Sequence, residues 1–332
     1  TYPVTAISII ANLALIFIIL TTNNTQIGAY RFLLLAFSVV DIFISIVHFT
    51  LVPGIQMTEF GFIFFGFRFM QSPTDVGIWA GLIFVALFYQ TFVLLCFHYV
   101  YRYVVLCNPS WLRWMQDHPW IKWICVGLTI DLLYIGGMYI YINFHQTLIF
   151  KTNVRFTGFM LEAYNIDLTS PNMPGYLGIA YWLREPDGTK GWLLRPMVSL
   201  TLVMILFFGS GFVIVMCIWR VMSAMKRSDS LADRTRTMQH QLFRALLIQT
   251  IVPTLTSYIP LGMVFIVPLT RISLGGWGSV FMMSTALFPL IDPFLVLFLV
   301  SGYRSRLPFI VRRFVSSVHP SVVTATPSMT RS

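Results

Sequence analysis

The sequence predicts an all-α membrane protein, a bundle of seven transmembrane helices. Of its 332 residues, 57% are hydrophobic and only 10% are charged, which lies outside the range of ordinary soluble domains. Seven apolar runs are long enough to cross a bilayer of about 30 Å at about 1.5 Å per residue. These candidate spans are about 4–20, 32–52, 76–100, 121–142, 196–219, 241–267 and 277–300. Apolar pieces between them, such as 60–70 and 174–182, are too short to cross and are predicted to be loops or re-entrant patches.

The distribution of Lys and Arg predicts the orientation of the bundle. The segments on one side carry fourteen of these residues and the segments on the other side carry seven. The richer side is normally cytoplasmic, so we expect the N-terminus outside and the C-terminus inside. The net charge of +10 comes from short basic segments between apolar runs, which predicts membrane topology and no nucleic-acid partner.

A layer of polar residues is predicted within the membrane. A carboxylate facing lipid costs several kcal/mol, so Asp292 in the last span must face other helices. Asn12, Asp41, Asp131, Gln249 and Asp292 all lie about 12 to 15 Å from the cytoplasmic ends of their spans, at about 1.5 Å per residue. We take Asn12, Asp41, Gln249 and Asp292 as a candidate polar switch network that can hold water or a cation and whose protonation could differ between two packings of the bundle. Static polar contacts between helices are the alternative for each of them.

Four prolines mark candidate hinges. Pro253 and Pro260 interrupt the sixth span, and Pro289 and Pro293 interrupt the seventh. Each removes a backbone donor and clashes with the preceding turn, so both helices are predicted to bend. Prolines are also tolerated in membrane helices that do not move, and this interpretation stays open.

A ligand cavity is predicted in the outer half of the bundle. Aromatic residues and methionines there suit an apolar cavity with a few polar tips, although core packing is the alternative for each residue. The candidates are Phe84, Phe88, Thr201, Met204, Tyr258, Trp277 and Phe281. Because no acid lies in the outer half of any span, the predicted ligand is small, uncharged and lipophilic.

The sequence predicts no enzyme, metal or cofactor. The six histidines do not pair at metal-ligand spacing, and HExxH, Gly-rich phosphate loops and serine elbows are absent. The four cysteines lie in spans or in a cytoplasmic loop, so no extracellular disulfide is expected. The long outer loop, about 143–195, must therefore be held by packing or stay mobile.

Five stretches resemble one receptor family as a set. RALLIQTIVPTLTSYIP, residues 244–260, resembles the signature of the nematode serpentine chemoreceptors of the Str and Srj type. Residues 27–45, 101–103, 289–294 and 302–304 are similar to further parts of that family's pattern. The resemblance implies an odorant receptor of the plasma membrane, in chemosensory cilia, coupled to a heterotrimeric G protein.

The cytoplasmic end of the third span is the predicted coupling site. Tyr101, Arg102 and Tyr103 stand where the resemblance places the family's third-span exit. Unlike the wider rhodopsin-like class, this chain has no acid beside the arginine, so a local carboxylate lock on Arg102 is not available. Arg227 and Arg234 between spans five and six complete the candidate surface for an acidic partner, with topology and lipid headgroups as the alternative.

The C-terminal residues are predicted to form two segments. Apolar residues recur at helical spacing between 304 and 318, which predicts an amphipathic helix on lipid headgroups and closes a receptor domain of 1–318. Residues 319–332 are rich in Ser, Thr and Pro, which predicts a flexible cytoplasmic tail. A receptor kinase would phosphorylate this tail, and an arrestin would bind the phosphorylated form.

A seven-pass ligand-gated channel or a transporter is the alternative function. A channel of the insect odorant type would place the N-terminus inside, against the distribution of basic residues. A transporter would usually show related halves, and no internal repeat links the first and last spans.

Overall fold

The computed structural model describes most of the chain and six of the predicted spans. Its described residues are 2–22, 30–108, 110–111, 129, 132–133, 136, 156–170, 173–184, 190–227, 233–300 and 303. Helices long and apolar enough to cross a membrane cover Tyr2–Thr21, Tyr30–Leu51, Thr74–Cys107, Pro196–Lys226, Phe243–Thr270 and Trp277–Leu299. These helices coincide with predicted spans 1, 2, 3, 5, 6 and 7, and each keeps that number below. The predicted span 4 lies outside the described residues apart from four helical positions, as do the predicted amphipathic helix and tail.

Each span buries one face and presents another that no described residue covers. Phe17, Phe43 and Phe212 are more than half exposed, as expected of side chains that contact lipid. Trp79, Trp192 and Trp277 are exposed at one end of the bundle, while Trp111 and Trp219 are exposed at the other. Tryptophans in two such groups are typical of the two membrane interfaces.

The apolar pieces between the spans form a β-sheet, which corrects the prediction of loops or re-entrant patches. Strands β1 (Pro53–Thr58) and β2 (Gly61–Gly66) form a hairpin, and β3 (Tyr176–Ala180) pairs antiparallel with β2. Two shorter strands, β4 (Trp182–Arg184) and β5 (Lys190–Trp192), pair with each other. The segments are rich in aromatic and β-branched residues, which favour strands. We call this end of the bundle the sheet end and the opposite end the Arg102 end.

The sheet is buried on both faces. Phe62 and Phe64 point toward the bundle, where their rings lie 5.6 Å from Phe265 and 5.3 Å from Phe84. On the other face Phe65 lies 5.2 Å from Tyr164 in a helix at 156–164. Burial on both sides explains why these strands are continuously apolar instead of alternating, and it makes the sheet a lid over the bundle.

Hydrogen bonds to backbone groups hold the lid and the long loop to the spans within the described residues. Thr74 Oγ1 donates to the carbonyl oxygen of Met173 at 2.7 Å, which ties the long loop to the start of span 3. Met57 and Gly275 exchange two backbone hydrogen bonds of 2.9 Å, which tie β1 to the turn before span 7. Packing and mobility were the two predicted outcomes for the long loop, and its described part is held by packing. Cys96, Cys107 and Cys217, the described cysteines, are free thiols.

Span 6 is irregular directly after Pro253, and span 7 is interrupted at Ala286, three residues before Pro289. Span 6 is α-helical over Asp233–Pro253, π-helical over Thr254–Tyr258 and α-helical again over Ile259–Ile266. Span 7 consists of the helices Trp277–Thr285 and Leu287–Leu299. The change of helical type after Pro253 is a recognised response to a lost backbone donor.

Candidate functional site

The structure brings part of the predicted polar layer together. Asp292 is buried, and Gln249 Nε2 donates to its Oδ1 at 3.1 Å. Asp41 is also buried and lies within electrostatic range of Asp292, but its carboxylate oxygens have no hydrogen-bond partner among the described residues. Asp131 lies outside the described residues. Spans 2, 6 and 7 thus contribute one carboxyl-rich group to the layer.

Asn12 belongs to a second group and does not bond Asp292. Its Nδ2 donates to the carbonyl oxygen of Pro289 at 2.9 Å and to that of Ser8 at 3.0 Å. Ser8 Oγ donates to the same Pro289 oxygen at 2.9 Å and lies 2.8 Å from Ser45 Oγ. Because the Ser8 hydrogen points to Pro289, Ser45 is the donor to Ser8.

This second group supplies donors to a carbonyl oxygen of span 7 that Pro293 leaves without its helical partner. Pro293 has no N–H, so the carbonyl oxygen of Pro289, four residues earlier, loses its helical donor. An unpaired buried carbonyl is costly, and Asn12 and Ser8 of span 1 supply the missing donors. The proline therefore creates an attachment point for span 1 on span 7.

A similar contact joins spans 6 and 7. Thr256 lies four residues before Pro260, and its carbonyl oxygen accepts a hydrogen bond from Ser284 Oγ at 3.0 Å. The same hydroxyl lies 2.7 Å from the carbonyl oxygen of Phe281 within its own helix. A hydroxyl group of span 7 thus contacts a carbonyl group of span 6 close to Pro260, and neighbouring helices commonly supply such donors in membranes.

Sequence reasoning missed Ser8, Ser45 and Ser284. A usable signal was present for the first two, because Ser8 lies four residues before Asn12 and Ser45 four residues after Asp41. That spacing puts each pair on one helix face. No comparable signal marks Ser284, whose role depends on which helix packs beside Pro260.

Arg102 is buried at the opposite end of the bundle from the sheet. The residue is only 3% exposed, and its guanidinium carbon lies 4.0 Å from the ring centroid of Tyr30, the first residue of span 2. An aromatic ring therefore covers the guanidinium, by a cation–π contact. Tyr101 is partly buried and stacks on Tyr30, with ring centroids 6.0 Å apart. Tyr103 is also partly buried, and the side chains of Arg227 and Arg234 lie outside the described residues.

A packed cluster of aromatic side chains, which we call the chamber, lies beneath the sheet. Phe84 and Phe88 of span 3 are buried, and Phe92 on the same helix contacts Tyr258 of span 6, with centroids 4.2 Å apart. Phe281 and Met204, also predicted as ligand contacts, pack against this cluster. Thr201 is exposed and Trp277 is 68% exposed, so both lie on the outside of the bundle and do not join the chamber.

Polar groups interrupt the aromatic lining. His48 Nε2 lies 3.0 Å from Thr285 Oγ1, and the His48 ring packs edge-on against Phe84 at 4.9 Å. The hydroxyls of Thr91 and Ser257 are buried without a hydrogen-bond partner among the described residues. Buried unpaired hydroxyls are unusual in a folded protein, and these two adjoin the Phe92–Tyr258 contact in sequence.

No group of three or more His, Cys, Asp and Glu side chains suited to a metal ion occurs within the described ranges.

The helical arrangement is similar to that of a solved seven-helix membrane protein. The crystal structure of squid rhodopsin superposes with a TM-score of 0.53 over 98% of this chain and 89% of that one, at 11% sequence identity. Identity at this level shows the fold alone, and function has to be argued from sites and closer relatives.

The sequence identifies the family. Residues 1–308 match the serpentine type 7TM GPCR chemoreceptor family Str, so the chain belongs to that family, and the resemblance predicted from its motifs is confirmed. It is 25% identical to the serpentine receptor class r-10 of Caenorhabditis elegans over 86% of this chain and 82% of that protein. It is likewise 25% identical to the G-protein coupled receptor str-217 of the same species, over 90% and 85%. The chain is thus a multi-pass membrane receptor of a chemoreceptor family and not an enzyme.

Proposed function

We propose that this chain is an olfactory receptor that binds a small, neutral or lipophilic odorant in the chamber beneath the sheet. Binding rearranges spans 6 and 7 and activates a heterotrimeric G protein at the Arg102 end. The observation that carries the proposal is that both spans are interrupted by prolines between the chamber and Arg102. At those interruptions the spans are held by side-chain hydrogen bonds, which can exchange between two packings.

The chamber supports the choice of ligand. Phe84, Phe88, Met204, Tyr258 and Phe281 supply apolar and aromatic surface, and the hydroxyls of Thr91 and Ser257 offer hydrogen bonds to a polar atom of the odorant. The buried acids of the described chain are Asp41 and Asp292, and both belong to the polar layer. The chamber therefore offers no counter-ion to an amine.

The Arg102 end supports the choice of partner. We place it on the cytoplasmic side, with Tyr101, Arg102, Tyr103, Arg227 and Arg234 as the surface that receives the G protein. This orientation follows from the distribution of Lys and Arg and puts the N-terminus outside. From the family, we further propose that the receptor lies in the plasma membrane of chemosensory cilia. The C-terminal tail then lies inside, where an arrestin or a receptor kinase would act on it.

The deciding experiment expresses the full chain with a promiscuous G-protein reporter and applies a panel of neutral volatiles beside matched amines. We expect activation by at least one neutral compound, and Arg102→Ala should reach the cell surface but lose the response. A response only to charged amines would contradict the ligand class. Current evoked by a ligand in cells without functional G protein would favour the channel alternative.

A further inference from the structure

We propose that Tyr30 is a positioning residue that retains Arg102 inside the bundle in the resting receptor, and that activation requires Tyr30 to leave the guanidinium. The inference rests on the proposed function, because it assigns a gatekeeper to the arginine through which coupling is proposed to occur. The lock expected from the wider receptor class, a carboxylate next to this arginine, is absent here, since Tyr101 and Tyr103 flank Arg102.

Both side chains of the Tyr30–Arg102 contact are buried. The guanidinium carbon lies 4.0 Å from the Tyr30 ring centroid, and Tyr30 is only 2% exposed. A guanidinium within about 6 Å of a ring face is attracted by the ring quadrupole, and the attraction is larger when both groups are desolvated. The ring therefore covers one face of the Arg102 guanidinium.

Three further contacts fix the position of the Tyr30 ring. Its hydroxyl lies 3.1 Å from His98 Nδ1, and the two rings meet edge-on at 5.2 Å. His98 lies four residues before Arg102, so span 3 presents both to Tyr30 from one face. The ring stacks on Tyr101 and shares a buried cluster with Tyr303, just beyond span 7.

Tyr30 lies where spans 2, 3 and 7 meet. The residue begins span 2 and contacts His98 and Arg102 of span 3. It also belongs to the same buried cluster as Val300 and Tyr303 at the end of span 7. Span 7 is also attached to span 1, through the carbonyl oxygen of Pro289. A displacement of span 7 would therefore disturb the packing around Tyr30. Arg102 is then released because the Tyr30 ring loses its packing contacts, and no side chain has to gain or lose a proton.

The test measures ligand-independent activation of the reporter, normalised to surface expression. Tyr30→Leu removes the ring, and we expect basal activation to rise about tenfold, the shift that loss of a desolvated cation–π contact produces in a two-state equilibrium. Tyr30→Phe keeps the ring and loses the contact with His98, so its rise should be smaller. Tyr30→Leu combined with Arg102→Ala should show no rise, because the released arginine is missing.

The chain offers a matched control at the opposite end. The Arg68 guanidinium lies 5.1 Å from the Tyr2 ring centroid and donates to the Tyr2 hydroxyl, but Tyr2 is more than half exposed. Tyr2→Leu therefore removes a contact of the same type without freeing a buried arginine. Basal activation should stay at the wild-type level.

A double-mutant cycle separates this inference from the proposed function. Thermal unfolding of the purified receptor is compared for wild type, Tyr30→Leu, Arg102→Leu and the double variant, and it needs no G protein. We expect the double variant to lose less stability than the two single losses combined; additive losses overturn the inference whatever the reporter shows. If wild type responds to an odorant but Tyr30→Leu leaves basal activation unchanged, only the inference fails. If the losses are coupled but no G protein responds to wild type, the proposed function fails and the inference falls with it.

Discussion

At the scale of single residues, the polar layer combines satisfied and unsatisfied groups. Gln249 gives Asp292 a donor, whereas Asp41, a neighbouring acid in the same layer, has no hydrogen-bond partner among the described residues. Buried polar groups in a low dielectric are stabilised strongly when paired and are costly when unpaired. A layer that holds both kinds is well suited to exchange partners between two packings.

The first prediction concerns Asp292. Asp292→Ala removes the acceptor of the Gln249 amide and leaves it unpaired, at a cost of about 1–3 kcal/mol. Asp292→Asn retains an oxygen that Gln249 can reach. We expect both variants to reach the cell surface, Asp292→Ala to lose most of the odorant response and Asp292→Asn to lose less. Surface immunolabelling measured beside reporter output checks this, and parallel loss of both signals would indicate plain folding damage.

The second prediction concerns the two donors to the Pro289 carbonyl. Asn12→Ala or Ser8→Ala alone leaves one donor in place, whereas the double variant leaves the carbonyl without either. The double variant should therefore lose more stability than the single losses combined, by about 1 kcal/mol.

Thermal unfolding of the purified variants measures this coupling. Thr21→Ala is the control, because the Thr21 hydroxyl donates only within its own helix and is exposed. Strictly additive losses for Asn12 and Ser8 would show that the Pro289 oxygen needs neither of them.

At the scale of elements, the lid depends on close approach of β2 and β3. Gly61 pairs with Ala180, and a Cβ on Gly61 would clash with the carbonyl oxygen of Ile179. A clash with backbone cannot be relieved by a rotamer change, so the strands would have to separate.

The third prediction follows from that geometry. Gly61→Ala should separate β3 from β2 and lower odorant potency about tenfold or more, because it loosens the wall that carries Phe62 and Phe64. Gly191→Ala in β5 is the control, since a Cβ there meets no atom within 4 Å. Concentration–response curves, with surface labelling for comparison, measure the effect, and equal potency of the two variants would argue against a role of the lid.

At the scale of the whole molecule, the helices were predictable and their connections were not. The six described spans follow from length and apolarity alone, because a membrane helix must satisfy its backbone internally over about 20 residues. Strands β1 to β3 were missed because burial on both faces removes the alternation that marks a strand, and each run is too short to cross.

The candidate site was predictable in its residues but less so in its partners. Depth along the spans brought Gln249 and Asp292 together correctly, because axial position fixes which side chains share a layer. It did not separate Asn12 from them, since the rotation of each helix about its axis decides the contact. The contact between Tyr30 and Arg102 could not be predicted either, because the two residues are 72 positions apart in sequence.

The closed lid has a consequence for how odorants are sensed. Because β1 to β3 are packed between the 156–164 helix and the bundle, they cover the chamber at the sheet end, and we expect odorants to enter sideways through the hydrocarbon. The bilayer then acts as an extraction solvent, and the concentration that the receptor samples is the one dissolved in lipid. In a homologous series of neutral odorants, half-maximal aqueous concentration should fall about threefold to fourfold per added CH₂, which corresponds to about 0.8 kcal/mol, until the chamber is full. Concentration–response measurements across such a series test this. If potency does not depend on the length of the odorant, entry through an opening of the lid is indicated instead.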